Sequence, residues 1–131
     1  MVESIATMLM RAAAIDAAAC RVLDAAPGMD ESVIGFHAQQ ACEKCLKAVL
    51  GHAGIAYERT HDLLRLMNLL RDNGIEQPAG TTWIDELMPY AVSARYGAID
   101  TAALNRPRTR AAVDELLRWA QERCGGGPAA P

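Results

Sequence analysis

One stretch of the chain concentrates residue types that can do chemistry. His37, Gln40, Lys44 and Lys47 recur at spacings of three and four. At roughly 100° per residue they form one polar stripe on a helix. Such a stripe can grip phosphate, with lysine as a point charge and glutamine or histidine as donors. The plainer reading is a solvated face with a favourable Glu43–Lys47 pair at i, i+4. Arg95 and Tyr96 form a second candidate, a guanidinium fork for phosphate beside a ring that can stack on a base. Their structural alternative is that Arg95 pairs with Glu43 or Asp62 while Tyr96 fills the end of the fold. His61 would need a cleft and a second group to work as an acid–base catalyst. Its simpler role is to organise the start of a helix.

Other reactive types read as structural. Cys42 and Cys45 form a C-x-x-C pair. Redox pairs of this kind place a thiolate at a helix N-terminus, and this pair sits mid-helix. A zinc site would need two further ligands, for which Cys20 and Cys124 lack matching spacing. Both fall on an apolar arc and read as small core residues, so no metal or cofactor is expected. Arg106, Arg108 and Arg110 make a short basic run that reads as ordinary solvated charge, with contact to RNA or an acidic partner as the alternative.

These residues must be positioned by helices. In the central stretch, Ile34, Ala38, Ala41, Cys42, Cys45, Leu46, Ala48 and Val49 share half the wheel. His37, Gln39, Gln40, Glu43, Lys44 and Lys47 take the other half, where Phe36 and Leu50 also fall, so that face is not plain solvent. This predicts a central helix capped by Asp30 or Ser32 and stopped at Gly54. Before it, a helix from about Val2 to Ala26 carries Ile5, Met8, Ala12, Ile15, Ala19, Val22 and Ala26 as a seam for packing on another helix. Pro27-Gly28 ends it, and the short turn predicts an antiparallel hairpin. A third helix starts with Thr60 as N-cap, turns Leu63, Leu66, Met67 and Leu70 inward and ends at Gly74. A fourth starts with a Thr82–Asp85 capping box, points Ile84, Leu87, Met88 and Ala91 inward and is kinked by Pro89. A fifth is capped by Asn105 or Arg106 and buries Val113, Leu116, Leu117 and Ala120. No period-2 strand pattern interrupts them, so the class is all-α.

Composition narrows the function. The chain has 131 residues, enough for one domain, and a formal charge of −3. That balance argues against indiscriminate nucleic-acid binding, though not against a local basic patch. No apolar run approaches the ~18 residues of a membrane span. The first helix carries Glu3, Arg11 and Asp16, unlike a signal peptide. A cytoplasmic protein with reduced cysteines is expected.

Three stretches together resemble the HEPN domain family, the nucleotide-binding domain of higher eukaryotes and prokaryotes. They are Phe36-His37-Ala38-Gln39-Gln40-Ala41-x-Glu43-Lys44-x-Leu46-Lys47-Ala48, then Thr60-His61-Asp62-Leu63, then Leu87-x-Pro89-Tyr90-Ala91-Val92-x-x-Arg95-Tyr96. The resemblance implies an up-and-down bundle of four to five helices, here over residues 1–124; the tail at 125–131, Gly-Gly-Gly-Pro-Ala-Ala-Pro, has nothing to bury and is expected to be disordered. It implies a homodimer, and a minimal nucleotidyltransferase as partner, sometimes in a toxin–antitoxin module. Some families of this kind are metal-independent RNases marked by an Arg followed, after four to six residues, by a His. Here none of His37, His52 and His61 follows an Arg at that distance, and Asp100 stands at one allowed position after Arg95. Gly97 also replaces the proline common after the Arg-Tyr pair.

The expected function is therefore nucleotide or RNA binding, or docking of a nucleotidyltransferase, through Gln40, Lys44, Lys47, Arg95 and Tyr96, with no catalytic residue. The enzymatic alternative is an RNase whose site is assembled across a dimer from Arg95 with His61 or His37. A third reading is a purely structural partner subunit. A homodimer is expected on independent grounds too, because the mixed face of the central helix and the wide apolar arc of the first would otherwise stay exposed.

Overall fold

The computed structural model describes residues 3–96 and 103–125, with the side chains of 93–96 outside that description. Five α-helices follow in order: α1 (Ile5–Ala25), α2 (Glu31–His52), α3 (Leu63–Asp72), α4 (Met88–Tyr96) and α5 (Arg106–Arg123). Two 3-10 turns, Ala79–Thr81 and Ile84–Leu87, lead into α4. No strand occurs among the described residues. The expected tail and the Gly97 and Asp100 positions lie outside the described residues.

α2 is the axis of the bundle. It packs against α1, α3, α4 and α5, and its apolar arc from Ile34 to Val49 is buried as expected. Several of its buried residues are small, as are Ala13, Ala17 and Cys20 on the facing side of α1. Small side chains on both helices let the two backbones approach closely. Gly35 does the same toward α4: a Cβ there would lie 2.4 Å from the Tyr90 ring.

The helix ends follow local chemistry. Asp30 caps α2 by accepting the Ser32 N–H at 2.8 Å. At the other end Gly54 takes φ +74°, and Ile55 N donates to Leu50 O at 2.9 Å while Gly54 N donates to Gly51 O at 3.1 Å. These are the paired bonds of a Schellman stop, and they need a residue tolerant of left-handed backbone. α3 repeats the pattern at Gly74 and Ile75. Asn105 caps α5 by accepting the Arg108 N–H at 3.1 Å.

Five expectations are corrected. The Thr82–Asp85 capping box does not form: Thr82 Oγ1 donates back to Ala79 O at 3.2 Å, and no side chain caps the 3-10 turn at Ile84. The stripe of α1 read as a packing seam does not face the bundle: Ile5, Met8, Ile15 and Val22 are 72%, 53%, 65% and 69% exposed, and Ala13, Asp16, Ala17 and Cys20 turn inward instead. An Ala-rich helix offers two apolar arcs, and close packing on α2 selects the one with smaller side chains. Leu50, placed by phase among the polar residues, is fully buried, because α2 is enclosed on nearly every side. The cap of α3 is Asp62, which accepts from Leu64 N and Arg65 N; Thr60 accepts from Asp62 N one step earlier. Pro89 does not kink a longer helix. The chain enters through 3-10 turns, and α4 begins at Met88, so the proline lies in the first turn, where its missing N–H has no helical acceptor to lose.

Candidate functional site

The α2 stripe stands over two buried carboxylates. Asp16 comes from the inward face of α1, and Glu43 from α2 itself. Asp16 Oδ1 accepts from His37 Nδ1 at 3.0 Å, and its other oxygen accepts from Lys44 Nζ. Glu43 accepts from Gln39 Nε2 at 3.1 Å and from Lys47 Nζ at 3.0 Å. Both Glu43 oxygens lie 3.1 Å from His61 Nδ1, supplied by the segment that leads into α3. Gln40 Nε2 donates to Gln39 Oε1 at 2.7 Å, which adds Gln40 to the Glu43 cluster.

The arrangement follows from electrostatics. A carboxylate out of water is costly unless it is paired and fully hydrogen-bonded. Each of these has a lysine and a histidine, and among the described residues no buried side-chain nitrogen or oxygen lacks a partner. Burial, and then the charge of Glu43, push the nearby Tyr57 phenol above its ordinary value. Each histidine faces a carboxylate through Nδ1, and a carboxylate only accepts, so Nδ1 is the donor and Nε2 points away from it. His61 is 53% exposed and therefore accessible to a ligand.

The site residues expected from sequence meet in part. Gln40, Lys44 and Lys47 lie on one strip of α2, and His37 and His61 join them. Arg95 and Tyr96 belong to the last turn of α4, which packs beside α2; their side chains lie outside the described residues. Of the carboxylates suggested as partners of Arg95, Glu43 lies under the stripe and Asp62 caps α3. The stripe is thus not a solvated face: its Glu43–Lys47 pair exists, but Glu43 is buried beneath it.

Asp16, Gln39 and Glu43 were not among the sequence candidates. Asp16 carried a usable signal. It is an ionisable residue in phase with Ala13, Ala17 and Cys20 on a helix otherwise rich in alanine. Glu43 sits four residues after Gln39 and four before Lys47, the spacing of helical side-chain pairs. The partners from other helices had no local signal.

The remaining candidates are structural. Cys42 and Cys45 are buried in the core. Burial pushes the Cys42 thiol well above its usual range and that of Cys45 to about 12, opposite to a reactive thiolate. The basic run of α5 holds helices together. Arg106 Nε donates to Asp24 Oδ1 at 2.7 Å and Arg110 reaches the other oxygen at 3.4 Å. Arg108 lies 4.0 Å over the Trp83 ring. A separate groove of about 870 Å³, lined by residues such as Met67, Arg71, Trp119 and Arg123, opens between α3 and α5. None of the stripe residues lines it.

An all-helical bundle built on a central helix, with a carboxylate-organised polar stripe along it, defines the class. A family model described as HEPN domain matches residues 10–123. The chain belongs to the HEPN family, a nucleotide- and RNA-related domain family. No curated protein and no solved structure matches it. No described helix is long and apolar enough to cross a membrane.

Proposed function

We propose that this chain is the nucleotide- or RNA-binding component of a HEPN and minimal-nucleotidyltransferase module of toxin–antitoxin type, acting in the cytoplasm as a homodimer. The ligand binds on the α2 stripe. Gln40, Lys44 and Lys47 supply donors to phosphate, Arg95 supplies a fork from the end of α4, and Tyr96 stacks on a base. One observation carries this reading: Asp16 and Glu43 are buried beneath the stripe and hold its lysines and histidines in fixed positions. Preorganised donors lose little freedom on binding. Because both lysines are already paired, they act as directional donors more than as net charge. Fluorescence anisotropy with labelled mononucleotides and short single-stranded RNA tests the reading. Lys44→Ala and Arg95→Ala should each weaken binding by about 1.5–3 kcal/mol, the range for a charge-assisted contact. Arg95→Lys should restore it only partly, since an ammonium has no fork. Unchanged affinity in both alanine variants leaves the structural-subunit reading in its place. Copurification with the product of a neighbouring nucleotidyltransferase gene tests the partner.

One observation favours an RNase as the second reading. The Glu43–His61 contact resembles the carboxylate-oriented imidazole of general acid–base catalysis, with Nε2 directed away from the carboxylate. Metal-independent RNA cleavage lost in His61→Ala, with the fold intact by circular dichroism, would establish it.

A further inference from the structure

Helix α1 carries a second, unused packing surface. Ile5, Met8, Ala12, Ile15, Ala19 and Val22 alternate steps of three and four, the spacing of a heptad seam. No ionisable residue falls on it. Ala12 and Ala19 are partly buried, and its four large side chains are all more than half exposed.

We propose that this stripe pairs with the same stripe of a second copy, antiparallel and about a two-fold axis. The inference rests on the homodimer reading above and assigns its surface and orientation. Size alternation along the seam argues for both. One row is Ile5, Ala12 and Ala19, mostly small; the other is Met8, Ile15 and Val22, all large. A parallel pair sets each row against itself, alanine on alanine with a void and isoleucine on isoleucine with crowding. An antiparallel pair sets the rows against each other, with Met8 opposite Ala19 of the partner subunit and Ile15 opposite Ala12 of the partner subunit. At these central contacts large side chains enter gaps left by small ones, as close packing requires; at each end of the seam Val22 meets Ile5 of the partner subunit, large on large. A surface that complements itself under a two-fold is what an isologous dimer needs.

Area sets how far the contact extends. At ~25 cal/mol/Å², burying an aliphatic side chain removes roughly 60–120 Å² from water. Four side chains about two-thirds exposed contribute on the order of 150–300 Å² per copy, against about 800 Å² per partner in a stable interface. The stripe is the centre of the contact, and adjoining surface must complete it. Asp16 follows Ile15 directly at the edge of the seam, and it bonds His37 and Lys44 of α2. Val33, one turn before His37, is a further exposed apolar residue on that flank. The dimer therefore sets the polar stripe of each copy along the border of the shared face.

Sedimentation and spin-label distances test this. The full chain should sediment as a dimer at tens of micromolar. Ile15→Glu combined with Val22→Glu should make it monomeric with unchanged helicity, while Leu64→Glu, at an exposed apolar position on α3, should leave it dimeric. Nitroxides on Ala25→Cys in a Cys124→Ser background should lie about 35 Å apart along the paired helices, from the 1.5 Å rise per residue. A monomeric parent chain overturns the homodimer reading itself. A dimer that survives both glutamates keeps that reading and overturns this surface. A label distance under about 20 Å overturns the antiparallel orientation.

Discussion

Replacing Glu43 with glutamine isolates what a buried carboxylate does beneath the stripe. The shape is conserved, but the anion is lost. Lys47 and His61 then face a neutral amide, and the amide must turn either an oxygen or an NH2 group toward each of them. It cannot accept from Gln39, Lys47 and His61 as the carboxylate does. A hydrogen bond to a charged group contributes about 1.5–3 kcal/mol, so losing the anion under two of them has an upper bound near 6 kcal/mol. Water recovers part of this. His61 is half-exposed, and the Lys47 ammonium can move outward along its stem. The expected net loss is about 2–4 kcal/mol, within the cost of breaking a partly buried pair. For a domain of this size that lowers Tm by about 10 °C. Urea unfolding followed by circular dichroism gives the free energy directly, provided the slope stays constant. A double-mutant cycle with Lys47→Met then tests the cause. If the stranded ammonium is responsible, the double variant recovers at least about 1 kcal/mol relative to additivity. A Glu43→Gln protein within about 0.5 kcal/mol of the parent would refute the argument that this carboxylate organises the surface.

Gly35→Ala should destabilise by about 1–3 kcal/mol through overpacking, because the new methyl meets the Tyr90 ring, and Gly35→Ala with Tyr90→Leu should recover part of the loss in thermal melts. Thiol reactivity in the native state should be confined to partly exposed Cys124; Cys20, pushed up to about 11 by burial, and Cys42 and Cys45 should react with Ellman's reagent only on unfolding. The raised thiols have a sign consequence: the native state keeps protons that the unfolded chain releases near 9, so stability falls as pH rises through that value, measurable as a declining urea midpoint.

Much of the bundle is legible in the sequence alone. The buried arc of α2 follows from residue spacing, because a helix enclosed on that side must repeat its apolar residues at three and four. The stops at Gly54 and Gly74 are equally local, since a left-handed residue is needed wherever a Schellman turn closes. The α2 stripe is also a local pattern, and His37, Gln40, Lys44 and Lys47 do share one strip. The orientation of α1 is not local. Its sequence offers two apolar arcs, and periodicity ranks the larger side chains higher, whereas the fold brings α1 onto α2 through alanine and cysteine. That choice sends Ile5, Met8, Ile15 and Val22 outward. Only the tertiary structure decides what lies beneath the stripe. Asp16 tolerates burial because His37 and Lys44, 21 and 28 residues further along the chain, arrive beside it. Glu43 does so because His61, 18 residues on, closes over it. The energy of a buried charge depends on groups gathered from several elements, and residue types and spacing along one helix carry no record of that gathering.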